Sequence, residues 1–252
     1  MQWFTFKYLG DWIIAIVLLL LAVVFDKIPP FRQELPMPNK NPTVGYPEKD
    51  SYVPTVVAGV LSYGIPIVLF LVFEIVSWKI NKNWPVFHDF HHGVLALLES
   101  AGLTLSIVNL IKPFAGRYRP HYLAVRYDED PYMEFDGRRS FPSGHSACAF
   151  SGFGVLAFYA AGKMGLYAKG RGGQLFKGVI SMLPLLAAFA IAITRTRDYH
   201  HNYSDIITGS IIGLICSAGA YFNLFPSLFS KNSHLPRDPG YETTLDVIRR
   251  SD

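Results

Sequence analysis

The stretch WIIAIVLLLLAVVF, residues Trp12–Phe25, contains no charged side chain. Five further runs in the chain approach the length of about 20 apolar residues that crosses a bilayer. A soluble protein would distribute its apolar residues at the period of a strand or an amphipathic helix instead of gathering them in long runs. The sequence therefore predicts an all-α, polytopic membrane protein.

The apolar runs predict six transmembrane helices joined by hydrophilic connections. The predicted spans are 8–25, 54–78, 92–111, 145–162, 178–194 and 206–226. They define one membrane domain, residues 1–226, and a polar, flexible tail at 227–252. The residues Asp26–Pro30 follow the first run without a small-residue cleavage site, so we interpret that run as a retained helix and not as a signal peptide.

Composition narrows the functional classes. Half of the 252 residues are hydrophobic, and the formal net charge is only +4. Nucleic-acid binding would require a basic stripe on a soluble face, which this sequence does not show. Both cysteines, Cys148 and Cys216, lie in predicted helices. We interpret them as small buried hydrophobic residues, because nothing in their spacing suggests a disulfide framework or a zinc site.

Three polar segments at the ends of the predicted helices contain residues suited to chemistry. They read KPFAGRYRP at Lys112–Pro120, SFPSGHS at Ser140–Ser146 and TRTRDYHHNYSD at Thr194–Asp205. The first two follow the third span and the last follows the fifth, so an alternating topology brings all three to the same face of the membrane. Their well-spaced cations, two histidines and a carboxylate predict a site that hydrolyses phosphate esters.

The third segment places Arg195, His201 and Asp205 at separations of six and four residues. If this segment enters the sixth span as a helix, His201 and Asp205 share one face about a turn apart. The carboxylate can then accept the N–H of one imidazole nitrogen, which leaves the other nitrogen free to attack phosphorus. An acid at the membrane boundary is costly without such a partner.

The other two segments supply a phosphate cradle and a proton donor. The tripeptide Ser143–His145 precedes an apolar helix, whose N-terminus offers unpaired N–H groups and a positive dipole end to a phosphate. His145 can protonate a leaving alkoxide. Lys112 and Arg119, together with Arg195, can surround the phosphoryl oxygens. Uncatalysed hydrolysis of phosphate monoesters is extremely slow, so we expect a covalent intermediate combined with cationic clamping.

The pattern Lys-x6-Arg-Pro, Pro-Ser-Gly-His, Arg-x5-His-x3-Asp resembles that of the type 2 phosphatidic acid phosphatase (PAP2) superfamily, over about residues 90–227. The stretches GRYRPHYL, SFPSGHSA and DYHHNYSD are similar to its integral-membrane branch of lipid phosphate phosphatases and diacylglycerol pyrophosphate phosphatases. The resemblance implies a helical core of the kind shared with vanadium haloperoxidases. Thr194 stands where the family usually has serine, and keeps the hydroxyl.

The resemblance implies metal-independent hydrolysis of phosphatidate to diacylglycerol and phosphate through a phosphohistidine. Diacylglycerol pyrophosphate, lysophosphatidate and sphingoid phosphates are further implied substrates. The family pattern implies His201 as the nucleophile, Asp205 as its orienting partner and His145 as the general acid. The residues that it implies for phosphate binding are Lys112, Arg119, Ser143, Gly144 and Arg195. It implies no metal or other cofactor, and no carboxylate cluster near the motifs could hold Mg²⁺.

Three other interpretations use the same residues. A polyprenyl-pyrophosphate phosphatase would need the same groups, and substrate competition would separate the two activities. A vanadate-dependent haloperoxidase has the same arrangement of site residues. Those enzymes are soluble, so the predicted membrane spans argue against this interpretation. A non-catalytic receptor for lipid phosphates would not require His145, His201 and Asp205 together.

The remaining polar residues in and near the spans fit structural roles. The segment His88–His92 (HDFHH) has the residue density of a metal site, but it falls on the face opposite the motifs, and an interfacial segment is favoured. Glu99 in the third span suits helix packing better than catalysis. Four arginines near the motifs fit an anionic headgroup, a pyrophosphate or a solvated loop face equally well: Arg117, Arg138, Arg139 and Arg197.

The distribution of charge predicts an orientation. The loop 163–177 contains four cations and no acid, and the loop 79–91 contains two lysines and Asp89. By the positive-inside rule, these loops and both termini are cytosolic, and the site faces a lumen or the outside. We expect an endomembrane (vacuole, ER or Golgi) or the plasma membrane as its location, with the bilayer and a lipid phosphate as partners and no nucleic acid. The loops on the opposite face also contain cations, but acids lie among them, namely Asp26, Glu34, Glu48, Asp50, Asp128, Glu129 and Asp130.

Overall fold

The computed structural model describes residues 6–35, 43–82, 86–124, 131–168 and 174–237, and all regular secondary structure in these ranges is helical. In these ranges, six long helices and one short α-helix follow each other, with a 3₁₀ turn at Tyr122–Ala124. They are α1 (Phe6–Asp26), α2 (Thr55–Ile80), α3 (Val86–Ala115), α4 (Pro131–Gly137), α5 (Gly144–Lys163), α6 (Leu175–Arg197) and α7 (Tyr203–Leu224). The all-helical membrane architecture predicted from the apolar runs is thereby confirmed.

Within the described ranges, five helices have the length and hydropathy to cross a membrane, namely α1, α2, α3, α6 and α7. The remaining long helix, α5, contains many Gly, Ala and Ser residues and is therefore less apolar. It packs against α2, α3, α6 and α7, so most of its side chains meet protein and not lipid. A helix lies at each of the six predicted positions, while the criterion of length and hydropathy selects five.

Several helix boundaries differ from those predicted, because helical geometry continues into polar sequence. The third helix extends past both ends of the predicted span 92–111, since the polar segment His88–His92 and the residues up to Ala115 are also helical. The last helix begins at Tyr203, because Asn202 and Asp205 form a capping box around its first turn. In α2, the residues Val60–Gly64 form a π-helical turn, which no sequence pattern predicted.

Two glycines of α7 bring it into close contact with α5. A Cβ atom at Gly209 would lie 2.4 Å from the carbonyl oxygen of Ser143, and one at Gly213 would lie 2.2 Å from that of Ala147. Only a residue without a side chain allows the two backbones to approach this closely. The contact fixes the N-terminus of α5 beside the first turns of α7, where two of the motif segments meet.

The opposite end of the bundle is closed by the first part of the predicted tail. Lys163 at the end of α5 forms a buried ion pair with Asp89, and its Nζ donates to the carbonyl of His234 at 2.7 Å. The Tyr8 hydroxyl donates to the carbonyl of Arg237 at 3.0 Å. Residues 238–252 lie outside the described residues, so the flexibility of the tail stays a prediction.

The histidines of the segment His88–His92 take part in the same packed end. The Trp12 indole donates to Nε2 of His91 at 2.9 Å, and Nε2 of His92 hydrogen-bonds the Tyr8 hydroxyl at 3.0 Å. Among the residues that the structure describes, no group of three or more His, Cys, Asp or Glu side chains could hold a metal ion. These rings bond other side chains, in keeping with a structural role.

Candidate active site

The first motif segment begins in the last turn of α3. The Lys112 ammonium donates to the carbonyl of Arg139 at 3.2 Å. The chain then turns at Gly116, whose φ is +55° and whose added Cβ would lie 2.3 Å from the carbonyl oxygen of Phe31. A residue with a side chain would be strained and would clash there, so glycine is required at this turn.

Arg119 follows that turn and is held by Asp136. It is buried, and its Nε and terminal nitrogens donate to the carbonyl and the carboxylate of Asp136, at 3.0 Å and 2.7 Å. Burial raises the pKa of Asp136, but the nearby cations of Arg119 and Lys112 outweigh burial and hold it below its usual range. The charged Asp136 therefore aims the Arg119 guanidinium.

The second motif segment forms the N-terminus of α5. Ser143 is the N-cap residue, and its Oγ accepts the N–H of Ser146 at 3.4 Å. A Cβ atom at Gly144 would lie 4.0 Å from Cε of Lys112, so the lysine lies beside this helix end. The Nε2 atom of His145 bonds the carbonyl of Val53 at 3.0 Å. A cation and the free N–H groups of a helix start thus lie together, an arrangement suited to an anion.

The third motif segment reverses the chain between α6 and α7. Asp198 ends α6, and Tyr199 adopts the left-handed conformation with φ +58°. The N–H of His201 then bonds the carbonyl of Arg195 at 3.1 Å, which places the two residues side by side. The expectation that His201 and Asp205 share a helical face is wrong, because α7 begins only at Tyr203. The Nδ1 atom of His201 nevertheless lies 3.7 Å from Oδ2 of Asp205.

The carboxylate of Asp205 is fully buried and receives three hydrogen bonds. Arg117 donates to Oδ1 at 2.7 Å, while the Ser140 hydroxyl and the N–H of Asn202 donate to Oδ2 at 2.6 Å and 2.9 Å. The backbone carbonyl of the same residue accepts the N–H of Ser143 at 3.0 Å. Asp205 therefore joins all three motif segments at one point.

Arg195 is almost completely buried and has partners from two regions of the chain. Its NH1 nitrogen lies 2.9 Å from Oδ2 of Asp198 and donates to the Ser51 hydroxyl at 2.9 Å. The carbonyl of Val53 lies 3.5 Å from the same nitrogen. Val53 therefore contacts both Arg195 and His145, and Ser51 contacts Arg195, so the connection between α1 and α2 lies over the site.

The electrostatic surroundings keep His201 neutral. Burial lowers its pKa well below the usual range, and the charges of Arg119, Lys112 and Arg195 lower it further. A neutral imidazole keeps one unprotonated nitrogen, which is the form that can act as a nucleophile. His201 and the other seven residues predicted from the sequence all lie at one end of the bundle.

Sequence reasoning missed the partners that hold these residues in place. Asp136 and Asp198 pair with two of the predicted arginines, Ser140 contacts Asp205, and Ser51 and Val53 come from a distant connection. Asp136 is 17 residues from its arginine, a separation that follows no helical or strand period. The acid Asp198, three residues after Arg195, is the one partner whose spacing could have suggested its role.

The chain is similar to proteins whose names describe phosphatases. It is 37% identical to a PA-phosphatase related-family protein of Dictyostelium discoideum, covering 94% of this chain and 86% of the relative. It is 27% identical to lipid phosphate phosphatase 1 of Arabidopsis thaliana, covering 91% and 72%. It is 28% identical to diacylglycerol pyrophosphate phosphatase 1 of Saccharomyces cerevisiae, covering 63% of each chain.

No solved structure matches the chain. The family model described as the PAP2 superfamily matches residues 93–227, a range that contains all three motif segments and the helices α5 to α7. The match covers more than half of the 252 residues, and the Dictyostelium relative extends the similarity over nearly the whole length. The order and the spacing of the motifs agree with it, and the chain therefore belongs to the PAP2 superfamily.

Proposed function

We propose that this protein is a membrane lipid phosphate phosphatase that hydrolyses phosphatidate to diacylglycerol and phosphate. The observation that carries the proposal is the meeting of three sequence-distant segments around a buried, neutral histidine ringed by Lys112, Arg119 and Arg195. The Arabidopsis and Saccharomyces relatives, named for lipid phosphates and diacylglycerol pyrophosphate, support the substrate class. Diacylglycerol pyrophosphate, lysophosphatidate and sphingoid phosphates are further proposed substrates.

In the first chemical step, His201 attacks phosphorus. The lone pair of its unprotonated Nε2 forms a P–N bond while the bond between phosphorus and the lipid oxygen breaks. The Nδ1–H faces Ser140 and Asp205, whose carboxylate balances the positive charge that develops on the ring. The three cations and the N-terminus of α5, with Ser143 and Gly144, hold the phosphoryl oxygens.

His145 supplies the proton that the leaving oxygen needs. A carbonyl group only accepts hydrogen bonds, so the contact with Val53 assigns a proton to Nε2 and leaves Nδ1 as the nitrogen that exchanges a proton with the substrate. In the first step His145 is the imidazolium, and it passes its Nδ1 proton to the oxygen that leaves phosphorus and becomes neutral. In the second step, His145 takes a proton from water, the water oxygen attacks phosphorus, and the P–N bond breaks. Phosphate is released and both histidines return to their starting state.

We also propose that the site faces a lumen or the outside and that both termini are cytosolic. The reason is the excess of cations in the connections at the opposite end, including Lys79, Lys82, Lys163 and Lys177. Other residues used for this orientation, Lys169, Arg171 and Asp128–Asp130, lie outside the described residues. Labelling of single cysteines introduced into each connection, from either side of sealed vesicles, tests the orientation.

The activity is tested by phosphate release from detergent-purified protein, with phosphatidate and diacylglycerol pyrophosphate as substrates and excess chelator present. We expect release by the wild type and its loss, by at least about 1000-fold, in His201→Ala, because without the nucleophile no covalent intermediate can form. The neighbouring variant His200→Ala is the matched control, since this ring pairs with Asp198 and does not contact Asp205. It should retain turnover.

The possible outcomes separate the alternatives. Release from neither lipid, together with release from a polyprenyl pyrophosphate, would replace the proposed substrate but keep the site. Inactivity on all three would favour a binding role. If His201→Ala stayed active while His200→Ala lost activity, the assignment of the nucleophile would be wrong. Activity that chelator abolishes would contradict the metal-independent mechanism.

A further inference from the structure

Arg117 lies within the first motif segment but is not one of the residues in the Lys-x6-Arg-Pro pattern. Its guanidinium NH1 donates to Oδ1 of Asp205 at 2.7 Å and to the Ser204 hydroxyl at 2.6 Å. Its own carbonyl accepts the N–H of Ser140 at 2.9 Å. One arginine thus bonds the carboxylate directly and also holds the backbone of a second residue that contacts that carboxylate.

The two oxygens of Asp205 are occupied differently. Oδ1 accepts from Arg117, whereas Oδ2 accepts from Ser140 and from the N–H of Asn202 and lies 3.7 Å from Nδ1 of His201. The Ser140 Oγ lies 3.5 Å from the same Nδ1. Arg117 therefore anchors Oδ1 of Asp205, and Oδ2 of the same carboxylate is turned toward His201.

A buried carboxylate needs such partners. Asp205 has no solvent exposure, and moving a carboxylate out of water is costly unless charged and hydrogen-bonding groups compensate. Within the part of the chain that the structure describes, the cationic side chain that contacts Asp205 is that of Arg117, which is itself 38% exposed. Charge-assisted hydrogen bonds of this length are stronger than neutral ones, so this contact dominates the orientation of Oδ1.

We propose that Arg117, together with Ser140, is a positioning residue that acts through Asp205 to hold His201 in the orientation for attack. This inference rests on the proposed function. Arg117 itself does not touch the phosphoryl group. Its role is to keep the carboxylate directed at Nδ1–H, so that the proton stays on Nδ1 and Nε2 keeps its lone pair.

The test compares Arg117→Gln with wild type in phosphate release from phosphatidate. We expect kcat to fall roughly 10- to 100-fold, the range typical of outer residues that orient a functional side chain through an intermediate residue. KM for phosphatidate and the inhibition constant for inorganic phosphate should both stay within about twofold, because the phosphate-binding residues are untouched. Arg117→Lys should restore part of kcat, since it returns the charge but not the paired geometry.

Arg197→Gln is the matched control. Arg197 is an exposed arginine at the end of α6 that stacks on Tyr52, at 5.1 Å from the ring centre, and we assign it no part in the site. Its variant should keep wild-type kinetics. Thermal melting of each purified variant shows whether a loss of kcat reflects misfolding, which would appear as a lowered midpoint.

A double-mutant cycle with Asp205→Asn gives the sharpest outcome. If Arg117 acts through Asp205, Arg117→Gln should change kcat by less than about twofold in the Asp205→Asn background, because the group through which it acts is already disabled. A full additional loss in that background, or a rise in KM and in the phosphate inhibition constant, would overturn the proposal and make Arg117 a substrate-binding residue. An inactive wild type would instead overturn the proposed function.

Discussion

Each arginine that we assign to phosphate binding has an acidic partner of its own. Arg119 pairs with Asp136 at 2.7 Å, and Arg195 pairs with Asp198 at 2.9 Å. Burial raises the pKa of Asp198, but the hydrogen bond from His200 and the charge of Arg195 outweigh it, so the pKa lies below its usual value. Both guanidinium groups are therefore oriented before substrate binds, which reduces the reorganisation required during the reaction.

His121, whose ring packs against that of His200, affects the acid stability of the site. Burial and the neighbouring His200 lower the pKa of His121 to about 4, and its Nδ1 bonds the carbonyl of Tyr199 at 2.9 Å. In the unfolded chain the same group titrates near about 6.5. As the pH falls from about 6.5 to 4, the unfolded state takes up a proton that the folded state does not, so stability is lost in that window.

We therefore expect the thermal midpoint in detergent to fall by at least about 2 °C between pH 6.5 and pH 4, measured by intrinsic fluorescence. His121→Asn keeps a donor near the Tyr199 carbonyl without a titrating ring, so its midpoint should depend less on pH over that range. An equally steep pH dependence in the variant would show that His121 does not contribute.

At the scale of helices, the site depends on how closely α5 and α7 approach. The carbonyl groups of Ser143 and Ala147, in the first turns of α5, face Gly209 and Gly213 of α7. Because Ser143 caps the helix end that we assign to phosphate, a displacement there would also move the proposed phosphate site. The small residues of α7 thus serve both packing and the position of the motif segments.

Gly213→Ala should destabilise the protein by about 1–3 kcal/mol, because its Cβ would lie 2.2 Å from a backbone oxygen that cannot rotate away. Gly219→Ala in the same helix is the matched control. Nothing lies within 4 Å of a Cβ atom there, and alanine favours a helix over glycine by up to about 1 kcal/mol. Thermal midpoints compare the two, and equal stability would contradict the close approach.

At the scale of the whole molecule, the two ends of the bundle have separate roles. The motif segments lie at one end, where α3 and α6 terminate and α5 and α7 begin. The other end contains the buried pair of Lys163 and Asp89, the segment His88–His92 and residues 225–237. A change at this second end should therefore alter stability more than chemistry.

Lys163→Met should cost about 3–5 kcal/mol, because it leaves the carboxylate of Asp89 buried without its cation. The double variant Lys163→Met/Asp89→Asn removes the unpaired buried carboxylate of Asp89. It should therefore recover much of the lost free energy of unfolding. At a temperature where the variants stay folded, kcat for phosphatidate should match that of the wild type. A loss of kcat in the folded double variant would argue against separate roles for the two ends.

Much of this protein is determined by local properties of its sequence. The helix positions follow from the lengths of the apolar runs, and Lys112, His145, Arg195 and His201 follow from motif residues at fixed spacings. These features are readable because a helix needs a certain length of apolar chain to cross a bilayer, and because the chemistry needs certain residue types.

Only the tertiary structure decided which groups hold those residues. The turn at Tyr199 places His201 beside Arg195, although tyrosine does not favour a left-handed conformation. Val53 reaches His145 across 92 residues, and Arg117 reaches Asp205 across 88. The physical reason is that such contacts arise from the packing of whole helices and their connections, whereas the apolar runs and the motif spacings are already present in the unfolded chain.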